Sequence, residues 1–343
     1  MKEINVAVIG CGYWGPNLVR NFLEQADARL KTVCDLSPER LAYVKRLYPP
    51  VVTTTQMQDI FRDKDVQAVV IATPAATHFD IAMNALEAKK HVLIEKPLGL
   101  NRQECKKLIA AAKKHELILM VGHTFIYNSA VRKLREYIVQ GFIGKTYYIY
   151  SQRLNLGKIR QDVNALWNFA PHDISILIYL LNELPHRVRA KGMEFIQKGI
   201  ADVVMMDLDF PSGVSAHVHV SWLDPNKVRR MTVVGSEKMV VYDDVNADAK
   251  IQIFDKGITK KNIAASLGEF KNFGEFQLIH RAGDLVIPKL DNYEPLQEEC
   301  RHFLQSIRQN SVPLTDGKHG LAVVEILEKA QESMDQGALP VDL

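Results

Sequence analysis

The first third of the chain alternates short apolar runs with longer amphipathic stretches, and this alternation restricts the fold more than any other feature. Short runs that are apolar throughout are typical of strands buried on both faces of a parallel sheet. Repeated β-α units, and hence a doubly wound α/β domain, are therefore predicted. The predicted strands are Ile4–Ile9, Leu30–Cys34, Ala68–Ala72, His91–Ile94 and Ile118–Val121, and the predicted helices are Pro16–Gln25, Pro38–Leu47 with Ser37 as N-cap, His78–Ala88 and Arg102–His115.

The pattern changes after Phe142, where longer segments alternate apolar and polar residues as antiparallel strands do. With 343 residues, two domains are expected. We assign 1–124 to the doubly wound domain and 125–343 to an α+β domain. The predicted strands of the second domain are Thr146–Arg153, Val203–Phe210, Val214–Ser221, Arg230–Val234 and Met239–Tyr242, and its predicted helices are Pro171–Leu181, Pro295–Arg308 and Lys318–Gln336.

Composition argues against several classes of protein. The chain is 47% hydrophobic and 24% charged with a formal charge of +3, which gives no bulk attraction to nucleic acid or membrane. The first apolar run is too short and too close to a glycine for a signal peptide or a membrane span. The four cysteines, Cys11, Cys34, Cys105 and Cys300, are scattered and form no CxxC pair, which favours a reducing cytoplasm.

A glycine-rich turn follows the first predicted strand and opens the first predicted helix. Its sequence, Gly10-Cys11-Gly12-Tyr13-Trp14-Gly15, is GxGxxG. In this context Gly10 permits the tight turn, Gly12 lets the backbone approach a pyrophosphate, and Gly15 allows close helix–strand packing. The helix N-terminus offers N–H groups to the anion. The turn therefore predicts a Rossmann-type dinucleotide site that includes Tyr13 and Trp14.

Asp35 lies at the end of the second strand, where an acidic residue is expected to bind the adenosine ribose hydroxyls. A carboxylate there repels a 2′-phosphate, so the sequence favours NAD over NADP. Arg40 weakens this preference, because a nearby guanidinium accommodates a phosphate. The alternative is a glycine-rich turn in another kind of α/β domain, with Asp35 only capping a strand.

Two further residues are candidates for chemistry. Lys96 belongs to the segment Glu95-Lys96-Pro97, which directly follows the strand His91–Ile94 at the sheet edge that faces the ligand crevice in open α/β folds. His172 lies at the start of the predicted apolar helix, beside Asp173, which could orient its ring or favour the helix N-terminus by charge. The alternatives are a solvated lysine and a structural or capping histidine.

Taken together, these motifs resemble the Gfo/Idh/MocA family of NAD(P)-dependent oxidoreductases. The matching features are Gly10–Gly15, Ala72–His78, Glu95-Lys96-Pro97 and the segment around His172. The resemblance implies a Rossmann domain followed by a domain with a large open, mainly antiparallel sheet.

The resemblance also implies roles for the remaining motif residues. Those implied along the cofactor are Thr73, Pro74 and His78, and those implied at the nicotinamide are Glu95, Lys96 and Pro97. Lys96 and His172 are implied to handle the substrate hydroxyl, and the Lys96–Pro97 bond is implied to be cis.

Asn168 departs from the family pattern, because many relatives carry Asp four positions before the catalytic histidine. An amide can hold a hydroxyl by hydrogen bonding, but it cannot accept a proton as a carboxylate does. We therefore expect His172 to act as the base and Lys96 to donate a hydrogen bond to the same oxygen. Which of the two dominates stays open.

The polar stretch from Arg153 to Asn164 suggests how a substrate is held. Its cations and amides suit phosphates, carboxylates and sugar hydroxyls, although a plain surface loop is an equal alternative. The stretch is similar to the subgroup that oxidises nucleotide-linked sugars such as UDP-linked N-acetylated hexuronic acids. The expected contacts are Arg153, Lys158, Arg160 and Asn164.

Other functions remain open. One is a free polyol or inositol dehydrogenase, and another is glycoside cleavage or elimination with tightly held NAD. Outside enzymes, a non-catalytic NAD-binding sensor is possible.

Two expectations concern the second domain's sheet. The apolar stripe of Val214, Ala216, Val218 and Val220 would line a face that needs cover, and this favours a homodimer or homotetramer built through the open sheet. His217 and His219 share one side of that strand, but without a nearby third ligand we expect no metal.

Overall fold

The computed structural model of the chain describes residues 3–157, 159–258 and 280–343. These residues form two compact units. The first comprises Met1–Asn128 and Tyr293–Glu328, and the second comprises Ser129–Asn292 and Lys329–Leu343. By compactness, therefore, part of the C-terminal sequence belongs with the N-terminal unit. The division into functional domains at 1–124 and 125–343 stays a prediction.

The first unit is built on a parallel sheet in the order β3-β2-β1-β4-β5-β6. This is the strand order of a Rossmann fold, so the predicted fold class is confirmed. Two short elements, β3 and α3, were not predicted. The strands are β1 (Ile4–Ile9), β2 (Ala28–Cys34), β3 (Val52–Thr54), β4 (Ala68–Ile71), β5 (His91–Glu95) and β6 (Leu119–Gly122). The helices are α1 (Gly15–Glu24), α2 (Pro38–Leu47), α3 (Met57–Arg62), α4 (His78–Glu87) and α5 (Arg102–Lys114).

The strands of this sheet are buried on both faces, as their continuous apolar sequence predicts. All four residues of β4 and the last four of β1 are buried. The strand order reverses between β1 and β4, and in open α/β sheets ligands bind beyond the carboxyl ends of the strands at such a point. The turns after these two strands are therefore where a dinucleotide is expected.

A helix from the far end of the chain completes the first unit. This helix is α8 (Pro295–Gln309), and its Phe303 ring contacts the Phe22 ring of α1 edge-on at a centroid distance of 6.5 Å. At its start, Glu294 accepts hydrogen bonds from Arg20 (2.6 Å) and Asn21 (3.0 Å). The α8 helix is thus part of the core of the dinucleotide-type unit.

The second unit contains a mixed, mostly antiparallel sheet in the order β14-β13-β12-β11-β7-β10-β9-β8-β15. Only the pairing of β7 with β10 is parallel among the described pairs. This α+β architecture confirms the prediction. The strands are β7 (Thr146–Leu154), β8 (Arg187–Met193), β9 (Val203–Asp209), β10 (Ser215–Ser221), β11 (Val228–Gly235), β12 (Met239–Asp243), β13 (Ile251–Ile258), β14 (His280–Val286) and β15 (Val341–Asp342). The helices are α6 (Ser129–Val139), α7 (Ala165–Leu181) and the end of α9 (Gly317–Asp335).

The start of α7 corrects the sequence prediction. The helix begins at Ala165, because the Asn164 side chain accepts a hydrogen bond from the Trp167 backbone N–H at 3.1 Å and caps it. Pro171 therefore lies inside the helix rather than in its first turn. His172 and Asp173 follow it, so Asp173 is too far along α7 to favour the helix N-terminus by charge.

The apolar stripe on β10 also needs a correction. Val214, Ala216, Val218 and Val220 are buried within the chain, and α7 packs on β7, β9 and β10. These four side chains are therefore not an exposed surface that a second copy of the chain would have to cover. The opposite side of β10 carries the polar residues Ser215, His217 and His219, which are exposed or half-buried.

Across the described ranges, no helix combines the length and apolar character that crossing a membrane requires.

Candidate active site

The glycine turn after β1 has the geometry that a bound pyrophosphate requires. Gly10 has a φ of +96°, and a Cβ there would lie 2.6 Å from the Ala72 carbonyl oxygen. A Cβ on Gly15 would overlap the Gly10 carbonyl oxygen, so α1 can pack this closely only with glycine. Gly12 is different, since its Cβ would meet only the Arg40 guanidinium, at 3.8 Å. The space in front of Gly12 is what an approaching phosphate would fill.

The start of α1 fits the same ligand. Trp14 occupies the N-cap position, and its indole has no oxygen with which to accept the first N–H groups of the helix. These N–H groups and the positive end of the helix dipole suit an anion. The residues present therefore fit a dinucleotide. Tyr13, beside Trp14, is almost wholly exposed.

Asp35 is held at the tip of β2 by backbone donors. Its Oδ2 accepts a hydrogen bond from the Cys11 N–H at 2.6 Å, and its Oδ1 accepts one from the Ser37 N–H at 2.8 Å. The Arg40 guanidinium lies 3.5 Å from Oδ2. The predicted N-cap is confirmed, because the Ser37 hydroxyl accepts from the Arg40 N–H at 3.4 Å. Asp35 thus joins the glycine turn to the end of β2, with a cation beside it.

His78 links the turn after β4 to the turn after β5. The buried ring lies with Nδ1 2.7 Å from the Pro97 carbonyl oxygen and Nε2 2.9 Å from the Thr73 carbonyl oxygen. Burial lowers the pKa of His78, and the two carbonyl oxygens oppose this. In the same turn, the Thr77 hydroxyl donates to the Pro74 carbonyl oxygen at 2.8 Å. Whether Thr73, Pro74 and His78 touch the cofactor stays a prediction.

Lys96 lies at the end of β5, as predicted, and the Lys96–Pro97 bond is cis, which confirms that expectation. The Lys96 backbone N–H donates to the Glu95 carboxyl at 3.3 Å. Burial raises the pKa of Glu95 to about 7, against the lowering effects of the Lys96 charge and a hydrogen bond from Trp14. The Glu95 carboxyl therefore lies at the end of β5, beside Lys96.

Sequence reasoning missed a second carboxyl beside this tip. Glu299 of α8 is fully buried and accepts a hydrogen bond from the Thr124 hydroxyl at 2.9 Å. Burial and the nearby charge of Glu95 raise the pKa of Glu299 well above its ordinary range. No motif marks Glu299, because its segment reads as an ordinary amphipathic helix.

Two neighbouring imidazoles, the buried His123 and the half-buried His319, were missed as well. His123 follows β6, and its ring lies 5.3 Å from the ring of His319, centroid to centroid. Burial lowers the pKa of His319 to about 4 and that of His123 well below its usual value. The Lys96 charge also acts on His123 in this direction, so both rings stay neutral at physiological pH.

In the second unit, α7 carries Asn168 and His172 one turn apart, on the same face of the helix. Both are partly exposed, whereas Ala170, Pro171 and the residues from Asp173 to Ile178 are buried. Asn168 and His172 therefore make up a polar, accessible strip on a helix that is otherwise mostly apolar. The Ser175 hydroxyl donates to the His172 carbonyl oxygen at 2.8 Å.

The four expected substrate contacts have different environments. Arg153 is buried against Asp173, whereas the exposed Arg160 is paired with Asp162 at 2.5 Å. The Asn164 amide caps α7 and also donates to Gln331 at 2.8 Å. Lys158 lies outside the described residues. Binding of substrate by these residues stays a prediction.

The histidines on β10 show no sign of a metal. His217 lies 2.7 Å from the Asp207 carboxylate, an exposed pair on neighbouring strands. Among the residues with a described placement, no three His, Cys, Asp or Glu side chains are grouped to hold a metal ion.

The fold and the glycine turn define a dinucleotide-binding enzyme. Residues 4–123 match the oxidoreductase family with an NAD-binding Rossmann fold, and residues 131–241 match the GFO/IDH/MocA C-terminal domain. The chain belongs to the Gfo/Idh/MocA family and is an NAD(P)-dependent oxidoreductase.

Three relatives illustrate the range of this family. The UDP-N-acetylglucosamine 3-dehydrogenase of Acidithiobacillus ferrooxidans is 29% identical over 252 residues, covering 72% of this chain and 76% of that protein. Its structure matches with a TM-score of 0.82 at 25% identity, covering 98% of this chain and 99% of that chain. The myo-inositol 2-dehydrogenase of Thermotoga maritima is 23% identical over 344 residues, 97% of each protein. The 2,7-anhydro-N-acetylneuraminate hydratase of Mediterraneibacter gnavus is 28% identical over 224 residues, 61% of this chain and 59% of that protein.

Proposed function

We propose that this enzyme transfers a hydride between NAD and a secondary hydroxyl of a sugar, and that the sugar is nucleotide-linked, such as a UDP-linked N-acetylated hexuronic acid. The observation that supports the hydride chemistry is that Lys96 follows β5 at the carboxyl edge of the same parallel sheet whose strand β1 leads into the glycine turn. The likeness to a UDP-N-acetylglucosamine 3-dehydrogenase supports the substrate class.

In this proposal the chain's residues divide into three tasks. The glycine turn, the N-terminus of α1 and Asp35 bind the dinucleotide, whose nicotinamide exchanges the hydride. His172 takes the hydroxyl proton, and Lys96 donates a hydrogen bond that stabilises the negative charge developing on the substrate oxygen. Asn168, one turn before His172, holds a neighbouring hydroxyl through its amide.

The proposed cofactor is NAD rather than NADP. The Asp35 carboxylate, held by the Cys11 and Ser37 N–H groups, would repel a 2′-phosphate. Arg40 beside it offers some compensation. We expect kcat/KM to be higher with NAD, and Asp35→Ser to shift the preference toward NADP. A wild-type preference for NADP would contradict this assignment.

The test of the substrate class is a panel of UDP-sugars, free sugars and inositols, followed through the absorbance of NADH. Mass spectrometry of the purified protein first establishes whether NAD is retained. Oxidation of UDP-sugars in preference to free polyols supports the proposal. Turnover confined to myo-inositol or another free polyol would overturn its nucleotide-sugar part.

A second candidate is cleavage, elimination or hydration through a transient ketone, with NAD regenerated in each turnover. The likeness to a 2,7-anhydro-N-acetylneuraminate hydratase favours it. Retained NAD, product formation by mass spectrometry and an unchanged NADH absorbance together would favour this candidate over net oxidation.

We also propose that a second copy of the chain covers the exposed side of the second unit's sheet, giving a dimer or tetramer. Tyr148 and Tyr150 stack there at 6.4 Å between ring centroids, next to the exposed His217. Light scattering after gel filtration measures the mass, and Tyr148→Glu should reduce it. A monomeric wild-type protein would contradict the proposal.

The cytoplasm is the proposed compartment. Cys11, Cys34, Cys105 and Cys300 are all unpaired and buried, as expected where thiols stay reduced.

A further inference from the structure

A buried hydrogen-bond network lies directly beside His172 in the second unit. Asp173 is 3% exposed and Arg153 is 5% exposed. The Arg153 guanidinium donates to both carboxylate oxygens, from Nε at 2.6 Å and from Nη2 at 3.3 Å. The Ser151 hydroxyl donates to the same carboxylate at 2.6 Å. Both Asp173 oxygens are thus engaged by residues of β7.

The position of Arg153 in the sheet explains why its guanidinium meets this helix. Ser151 and Arg153 are two residues apart on β7, so their side chains point to the same side of the sheet. Since β7 lies between β10 and β11, it is an interior strand, and α7 packs on it. A charged residue in such a place is rare unless it is paired.

Electrostatics keep the Arg153 side chain charged in this place. Burial acts against the guanidinium, but the charge and hydrogen bonds of Asp173 outweigh it, so the pKa of Arg153 lies above its ordinary value. Tyr242 and Asp244 of the same unit act in the same direction. The guanidinium therefore already donates hydrogen bonds to an acceptor within the protein. An arginine that binds a substrate anion would keep such donors available for that anion.

The network of Arg153, Ser151 and Asp173 holds α7 at a turn where the helix lacks one backbone hydrogen bond. Pro171 has no N–H, so the hydrogen bond to the Trp167 carbonyl oxygen is missing just before His172. A rotation of α7 by 20° would displace a side chain at its surface by about 2 Å. The same rotation would move the Asp173 carboxylate away from Nε and Nη2 of Arg153. The network therefore resists the motion that would misplace the imidazole.

We propose that Arg153 and Ser151 are positioning residues, which fix the turn of α7 that carries His172 by holding Asp173, and that Arg153 does not contact the substrate. This inference rests on the proposed function only in taking His172 as the base. It replaces the sequence-based expectation that Arg153 binds the sugar or its phosphates.

The sharpest test is a double-mutant cycle between Arg153→Lys and His172→Ala. Lysine keeps the positive charge, but its ammonium group cannot make the two-point hydrogen-bonded contact that a planar guanidinium makes with a carboxylate. We expect Arg153→Lys to lower kcat about 10-fold to 100-fold, because a displacement of 1 Å has effects of this size, with less than about a 3-fold change in the sugar KM. In the His172→Ala background the same substitution should lower kcat by less than about 3-fold.

Two results would overturn the inference. A sugar KM raised more than about 10-fold at unchanged kcat would make Arg153 a substrate contact. An equal loss of kcat in both backgrounds would make its role purely structural. If the single variant His172→Ala retains wild-type kcat, the proposed function itself fails. This outcome is distinguished from the two above because it is measured without any substitution of Arg153.

Controls separate positioning from misfolding. Arg187→Met removes a matched but exposed arginine, which pairs with Asp342 at 3.0 Å, and should leave kcat and KM unchanged. The dissociation constant for NAD, measured by titration, reports on the first unit and should be unaltered in every variant. Arg153→Met combined with Asp173→Leu removes both charges and should retain more activity than Arg153→Met, which leaves a buried carboxylate unpaired.

Discussion

Lys96 donates a hydrogen bond from its backbone N–H to the carboxyl of Glu95 at 3.3 Å, so this carboxyl is held at the end of β5 beside the lysine. The bond favours the charged carboxylate, whereas burial favours the neutral acid, and burial dominates. A carboxyl with a pKa of about 7 therefore lies next to Lys96 in sequence.

This carboxyl should make stability depend on pH. The pKa of Glu95 rises from 4.5 to about 7 on folding, so between these values the folded chain binds more protons than the unfolded chain. The free energy of unfolding should then fall as pH rises through this window, by about 1–3 kcal/mol. Urea unfolding at pH 5 and pH 8 measures this. Glu95→Gln should show a smaller fall, and an identical fall in both proteins would contradict the prediction.

Glu299 gives a related prediction at higher pH. Because its pKa is raised well above the usual range, the folded state keeps this acid protonated to a higher pH than the unfolded chain does. Glu299→Gln, an uncharged replacement of the same shape, should change stability by less than about 1 kcal/mol at pH 6. At pH 9 the variant should be the more stable protein, because ionisation opposes folding only in the wild type. Thermal melts at both pH values test this, with Glu39→Gln as an exposed control.

The glycine turn predicts different outcomes for two similar substitutions. Gly12→Ala meets only the Arg40 guanidinium, so we expect a melting temperature near that of the wild type but NAD affinity at least about 10-fold weaker. Gly15→Ala would push a methyl group into the Gly10 carbonyl and should cost about 1–3 kcal/mol of stability or more. Calorimetry and NAD titration distinguish the two. Full NAD affinity in Gly12→Ala would mean that no phosphate approaches this residue.

Substitution of the proposed catalytic side chains tests the chemistry itself. Lys96→Ala and His172→Ala should each lower kcat by about 10²–10⁴-fold, the usual contribution of a positioned proton-transfer group. His186→Ala, which removes an exposed histidine just before β8, is the matched control and should retain wild-type kcat. Near-normal activity in both catalytic variants would refute their assignment.

Local rules predicted the first unit well, because its signals are local. Continuous apolar runs marked β1, and Ser37 with Pro38 marked the start of α2. The strand β3 was not predicted because it has only three residues, two of them threonines, and so short a segment shows no periodic pattern. In the second unit, the predicted helix start at Pro171 rests on the frequency of proline in the first turn of helices, whereas the actual cap is Asn164.

The site was predictable only where its chemistry follows a motif. The turn after β1, Asp35 and Lys96 all follow strands whose ends the sequence marks. Glu299 could not be found in this way, because it reaches Glu95 only after α8 has packed into a unit built by residues far earlier in the chain. Likewise, the pairing of Arg153 with Asp173 depends on how a helix packs on a strand, which one sequence does not reveal.

The histidine at position 78 has a consequence for engineering this enzyme. Its ring lies within hydrogen-bond distance of the Thr73 carbonyl oxygen on one side and the Pro97 carbonyl oxygen on the other, so the loops after β4 and β5 are both linked to this side chain. A redesign of the Thr73 loop for another coenzyme would therefore shift the lysine that follows β5. Selectivity for the coenzyme and turnover of the substrate should consequently change together in such variants, and libraries aimed at one property need to be screened for the other.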